Sequence, residues 1–143
     1  MTIKQISVFA ENRRGSLAQI ASILAKENID IRALSVADTT NYGILRLIAD
    51  NPDAAQKALN QAGFAVSQTD VVAACITDQP GGLAAVLDCL DKAGLEVEYV
   101  YAFISRDADQ AYVILRVEDT AKAASVLEKA GIKVLSGEEV YGL

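Results

Sequence analysis

The 143-residue sequence predicts an α+β protein built from two copies of one βαββαβ unit, packed side by side, each an antiparallel sheet with its helices on one face. Three observations predict it. The stretch ENRRGSLAQIASIL (11–24) has a counterpart in TDQPGGLAAVLDCL (77–90), with glycine and leucine in the same places. KENIDIRALSVA (26–37) and YGILRLIA (42–49) return as KAGLEVEYVYAF (92–103) and YVILRVED (112–119), each a β-rich run in the same order. A second helical stripe, Ala55, Ala58, Leu59 and Ala62, returns as Ala123, Val126, Leu127 and Ala130, and both copies run into Ala-Gly. Repetition over so much of a chain means two structural copies.

Taken in order, the first strand is expected at residues 3–10, and a helix follows at 16–27. There Leu17, Ile20, Ala21 and Leu24 keep the i, i+3, i+4, i+7 spacing of one amphipathic face. Strands at 30–37 and 42–49 come next, then a helix at 52–62 opened by proline and closed by glycine. A strand at 64–69 ends the first copy. The second copy is expected to place strands at 71–76, 96–105, 111–117 and 132–135, with helices at 82–93 and 120–130. Its first helix repeats the apolar face as Leu83, Val86, Leu87 and Leu90. Each copy is therefore a ferredoxin-like sandwich, and the domains are residues 1–69 and 70–143. The connection FAVSQTDVVAAC contains no Gly/Ser linker, so the copies should be held together rather than swing. Apolar residues on both strand faces, such as Ile44 and Ile48 opposite Leu45 and Leu47, predict a homodimer that covers the open face.

Composition removes several classes of function. A formal net charge of −6, with Arg13-Arg14 as the longest basic cluster, argues against a grip on nucleic-acid phosphate. Histidine is absent, and with it the commonest general base and metal ligand. Cys75 and Cys89 lack CxxC spacing and stand in apolar patterns where the first copy has Phe9 and Ile23. Two buried thiols in a cytoplasmic protein are expected. No apolar run reaches the roughly 18 residues of a membrane span, and MTIKQISVFA is not organised as a signal peptide.

The glycine turn can be read in two ways. As pure structure, Ser16 with Gln19 matches S-x-x-Q, a capping box, while Asp78 and Pro80 suit an acidic turn before the next helix. As a site, the same helix start offers unpaired N–H groups and a partial positive charge to a ligand carboxylate. The turn lacks the lysine of a nucleoside-triphosphate loop, and GGL at 81–83 is too short for a dinucleotide fingerprint. An RNA-recognition fold would need stacking aromatics on the third strand, where each copy offers one tyrosine. No catalytic constellation, cofactor motif or metal-ligand spacing stands out.

These residues resemble the ACT domain, and the whole chain resembles the small stand-alone tandem ACT proteins. Of the family's N-x-P-G loop, Asn12-Arg13-Arg14-Gly15 keeps the amide and the glycine, and Asp78-Gln79-Pro80-Gly81 keeps the proline and the glycine. Asn28-Ile29-Asp30-Ile31 and Gly94-Leu95-Glu96-Val97 are similar to the family's G-V-N-I run at the second strand. The resemblance implies a non-catalytic regulatory module that binds a free amino acid at the junction of its two domains. The ligand residues it implies are Asn12, Arg14, Gly15, Ser16 and Leu17, then Asp78, Gly81, Gly82 and Leu83. Asp30 and Glu96 would receive the α-ammonium, or simply stand exposed at strand starts. A separately encoded metabolic enzyme would be the partner, with no cofactor, nucleic acid or membrane. Two other readings stay open. One is a small enzyme acting on an acyl or phosphoryl compound, for which Asn12 with Arg13 or Arg14 is the loop candidate; the other is a ligand-free dimerisation module. Arg46 and Arg116, equivalent in the third strands, should form ion pairs or contact the ligand.

Overall fold

The computed structural model describes residues 3–38, 41–103 and 109–142. The chain separates into two compact units. The first comprises Lys4–Thr69 joined by Tyr141 and Gly142; the second comprises Asp70–Val140 joined by Ile3. Tyr141 belongs with the first unit because its hydroxyl accepts from the Lys4 N–H (2.8 Å) and its carbonyl from Arg32 Nε (3.1 Å).

The first unit runs β1 (Ile3–Glu11), α1 (Ser16–Lys26), β2 (Ile31–Asp38), β3 (Tyr42–Ala49), α2 (Pro52–Gln61) and the start of β4 (Ala65–Thr77). In its sheet β3 lies between β2 and β1, antiparallel to both. Alternation fixes the packing. Ile6, Val8, Leu45 and Leu47 point to one face and meet Ile20 and Leu24 of α1 and Ala55 and Leu59 of α2 in one core. Burying a side chain of this size stabilises by roughly 1.5–3 kcal/mol, and that burial holds both helices on that face. The opposite face of β1 is more polar: Gln5 Nε2 donates to Ser7 Oγ (3.1 Å), which lies 3.5 Å from Thr69 Oγ1.

The second unit continues β4 and adds α3 (Gly82–Lys92), β5 (Tyr99–Phe103), β6 (Gln110–Arg116), α4 (Thr120–Lys129) and all of α5 (Gly137–Tyr141) but its last residue. β6 lies between β4 and β5, antiparallel to both. Val72, Ala74, Val113 and Leu115 meet Val86 and Leu90 of α3 and Ala123 and Leu127 of α4 in a second core. The starts of α2 and α4 share one device. The Asn51 side chain accepts from Ala54 N–H (3.2 Å), and Asp119 accepts from Lys122 N–H (3.0 Å).

The two ferredoxin-like units match the expected fold, with six strands rather than eight among the described residues. The expected strands at 64–69 and 71–76 are one strand, β4, because no glycine or proline interrupts AVSQTDVVAACIT. The expected strand at 132–135 is reduced to one bridge, Ala74 to Val134, flanked by Cys75 N–H to Lys133 O and Leu135 N–H to Ala73 O (both 2.8 Å). β5 starts at Tyr99 rather than residue 96, and the expected continuation to 105 falls outside the described residues. The short α5 was not expected. It opens on a reciprocal pair, Ser136 N–H to Glu139 Oε2 (2.9 Å) and Glu139 N–H to Ser136 Oγ (3.2 Å).

Candidate functional site at the first glycine turn

β1 ends at Glu11, and the chain turns through Asn12 and Arg13 into α1. Arg13 N–H donates to Glu11 O (2.8 Å), Ser16 N–H to Arg13 O (3.3 Å) and Gln19 N–H to Gly15 O (2.9 Å). Gly15 is the N-cap, at φ 88° and ψ −7°. That left-handed conformation explains glycine at this place, since a Cβ would meet no neighbouring atom within 4 Å but would strain the backbone. The expected capping box does not form. With Gly15 as cap, Ser16 is the first helical residue, and its hydroxyl reaches back to donate to Glu11 O (2.9 Å). Ser16 is buried by this tie, and α1 has no side-chain cap. The N–H groups of Leu17 and Ala18 thus stand in the first turn without an intrahelical acceptor.

Those two residues border a hollow of about 430 Å³. Ala10, Glu11, Asn12, Arg13, Gly15 and Ser16 complete its β1–α1 side, and Val36, Asp38, Gly43 and Leu45 form the side made by β2 and β3. Register explains the second set. Ala10 lies opposite Gly43, and Gly43 opposite Asp38, so the three form one row across the sheet beside the helix start. Gly43, without a side chain, leaves that row open. Val36 and Leu45 form the next row inward, and Val36 and Leu17 are about half exposed, at 45% and 53%. The hollow has an apolar wall and a charged rim. Glu11 and Arg13 pair there at 3.5 Å, both largely exposed, and the Asp38 carboxylate has no hydrogen-bond or ion-pair partner among the described residues.

The structure brings Asn12, Gly15, Ser16 and Leu17 together around this hollow, while Arg14 is exposed and outside its lining. Leu17 was expected on the buried face of α1. The buried face is Ser16, Ile20 and Leu24, an i, i+4, i+8 row, and Leu17 stands outside it. Leu83, its counterpart, is also exposed, at 39%. Asp30 lies elsewhere. It pairs with Arg32 (2.9 Å), and its N–H donates to Asp50 Oδ1 (3.0 Å). It precedes β2, whereas Asp38 ends it; at ~3.3 Å per residue the two are on the order of 25 Å apart. Asp30 and Gly15 of one unit therefore cannot hold the two ends of one amino acid. Glu96 is likewise removed from the second turn, in an acidic hollow of about 540 Å³ with Glu98, Glu118 and Asp119.

The second turn repeats the backbone without the chemistry. Gln79 N–H donates to Thr77 O (2.9 Å), Gly82 N–H to Gln79 O (3.1 Å) and Ala85 N–H to Gly81 O (3.0 Å), with Gly81 at φ 91°. Gly82 occupies the place of Ser16, and a Cβ there would collide with the carbonyl of Thr77, the counterpart of Glu11. The hollow at this turn, about 310 Å³, opens towards Gly131 and Ile132 instead, and no charged side chain lines it. Asp78 is exposed and outside it, and neither Asp78 nor any other side chain caps α3.

Cys75 borders that hollow and is half-buried rather than core; its counterpart Phe9 is 50% exposed. Cys89, also half-buried, packs on the second core. Arg116 pairs with Glu98 (2.9 Å), and its Nη1 donates to Asp70 O (3.0 Å) and Val117 O (2.9 Å). Arg46 lies in β3 opposite Ser7 and Ser35. The residues that sequence reasoning missed are Asp38, Val36, Gly43 and Leu45. Their signal is the β2–β3 hairpin itself, which returns the end of β2 to the end of β1.

Fold and turn together define a tandem βαββαβ protein with a glycine-leucine turn in each copy. The model of the ACT domain pair matches residues 1–142, and the chain belongs to that family. A crystal structure of a protein from Bacteroides thetaiotaomicron is similar over 100% of this chain and 98% of that one, with 40% identity and a TM-score of 0.93. The regulatory subunit of aspartate kinase from Thermus thermophilus, in a ligand-free form, is 17% identical over 89% of this chain and 91% of that one, TM-score 0.65. Its counterpart from Thermus flavus is 16% identical over 90% and 92%, TM-score 0.63. These two share the fold. No curated protein matches the chain. Among the described residues no helix is long and apolar enough to cross a membrane, and no cluster of three or more metal-ligating side chains occurs.

Proposed function

We propose that the protein is a non-catalytic, cytoplasmic regulator that binds a free L-amino acid in the hollow at the β1–α1 turn. One observation carries this reading: an uncapped helix start faces a hollow of about 430 Å³ with an apolar wall and charged groups at its rim. The N–H groups of Leu17 and Ala18 suit an α-carboxylate. The apolar wall suits a side chain, and the volume lies within the range of small-molecule sites. Membership of the ACT domain pair family supports a regulatory role.

Binding would act by linkage: the ligand holds one arrangement of the protein more tightly and raises its population. A homodimer and a separately encoded metabolic enzyme complete the proposal as the means of passing that shift on. For about ten heavy atoms, ligand-efficiency limits give roughly −4 to −8 kcal/mol, hence millimolar to micromolar affinity, suited to reporting a metabolite pool. A thermal-shift screen of the twenty amino acids, followed by titration calorimetry, tests the reading. A saturable rise in melting temperature with one amino acid or a small related set is expected. Twenty flat responses would reject it.

A further inference from the structure

We infer that Asp38 receives the ligand's ammonium group and that the ligand is an amino acid with an uncharged aliphatic side chain; the inference rests on the reading of the hollow just proposed. The register Ala10–Gly43–Asp38 puts the Asp38 carboxylate on the same side of the sheet as the start of α1, across the gap left by Gly43. A carboxylate ligand group at the Leu17 and Ala18 N–H groups thus has an acid facing it across the hollow. The Asp38 carboxylate has no partner among the described residues, whereas Glu11 is engaged with Arg13 at 3.5 Å. A zwitterion lying across the hollow satisfies both ends.

The same inventory sets the side chain. With Asp38 taken by the α-ammonium and Glu11 by Arg13, a second cation finds no unshared acid at the rim. A second carboxylate would add negative charge to a rim that already holds two acids, Asp38 and Glu11, against one arginine, Arg13. What remains is Val36, Leu45 and Leu17. Leu17 and Val36 are about half exposed, at 53% and 45%, apolar surface that a branched aliphatic group would cover.

The test is titration calorimetry on the full chain with L-leucine, L-valine, L-lysine and L-glutamate, then with N-acetyl-L-leucine and the 2-oxo acid of leucine. L-leucine or L-valine should bind at least about tenfold more tightly than the others, because N-acetyl-L-leucine and the 2-oxo acid lose a charge-assisted hydrogen bond while L-lysine and L-glutamate bring a charge to an apolar wall. Asp38→Asn should weaken the same ligand by about tenfold or more, while Asp91→Asn, an exposed change on α3, should leave it unaltered. Undiminished binding by Asp38→Asn, or equal binding of N-acetyl-L-leucine, would overturn the assignment of the ammonium. Tighter binding of L-lysine or L-glutamate would overturn the assignment of the side chain. In each case the amino-acid site itself would stand. Failure of all twenty amino acids in the screen would remove both readings together.

Discussion

Gly82→Ala is a single added methyl whose effect has a definite sign. Gly82 is the first residue of α3, and alanine is the better helix former by up to about 1 kcal/mol in a helix interior, less at a first turn. Against this, the new Cβ would collide with the Thr77 carbonyl oxygen and lie 3.3 Å from its carbon. The obstacle is backbone, not the end of a flexible side chain. Thr77 is held in register opposite Gln110 at the end of β4, so relief means moving the strand end or the helix. Overpacking of this kind costs about 1–3 kcal/mol, and it outweighs the propensity gain. A net loss of about 1–2 kcal/mol follows, or roughly 3–8 °C in melting temperature for a chain of this size.

The control is in the other repeat. Ser16→Ala keeps a Cβ that the structure already accommodates and removes only the hydroxyl bond to Glu11 O, worth about 0.5–1.5 kcal/mol. Urea denaturation followed by far-ultraviolet circular dichroism, on both variants and the parent, measures the two losses. A Gly82→Ala protein as stable as the parent, or more so, would refute the claim that helix and strand touch there without room for a side chain.

Other expectations follow from the same geometry. Arg116→Ala should destabilise by about 1–3 kcal/mol in chemical denaturation, because two backbone carbonyls lose a charged donor; Glu98→Gln, removing a half-exposed ion pair, should cost less than about 1 kcal/mol. The Ser136 N–H, with Lys133 assisting, holds the Glu139 carboxyl below its ordinary range. Its contribution to stability is therefore present above the unfolded-state pKa and lost as pH falls through the lower folded value; an NMR titration of Glu139 at or above the ordinary carboxylate range would contradict this. Gly15→Val forces a β-branched residue to φ 88°, and should abolish amino-acid binding in calorimetry, whereas Gly81→Val should spare it. One ligand per chain is expected, and two equal sites would count against the assignment of the hollow to the first turn.

Much of the fold was legible because its causes are local. The apolar stripes, the Asn51 and Asp119 caps and the glycines after the helices are set by neighbours a few residues away. The strand 132–135 was not legible, since its alternation specifies a face but not whether hydrogen bonds continue along the edge. The S-x-x-E at Ser136–Glu139 is a local signal of the same kind, a capping box that marks the start of α5. At the site the division is the same. Gly15 is visible as a turn glycine, but the fate of the Ser16 hydroxyl depends on which residue becomes the N-cap. Asp38 reaches the hollow only through two strand registers. Asp30 looked suitable by its place in a motif, yet an eight-residue strand carries it to the other end of the sheet.

The two turns show which part of a duplicated structure is constrained and which is free. Their backbones agree because a left-handed residue must join strand to helix at that angle, and glycine serves it at 15 and at 81 with φ 88° and 91°. The next residue is under a different constraint. Serine at 16 spaces strand from helix and ties them with a hydroxyl, while glycine at 82 lets the Thr77 carbonyl come into contact with the helix start. Charges at the rim are constrained by neither. Glu11 and Arg13 correspond to Thr77 and Gln79, both neutral. The backbone can thus be kept for folding in both copies while side-chain chemistry suited to a charged ligand is kept in one. On this argument the second turn is a structural joint, and restoring a charged rim with Gln79→Arg alone would not create a site, because its hollow opens towards Gly131 rather than towards the strand that carries the acid in the first unit.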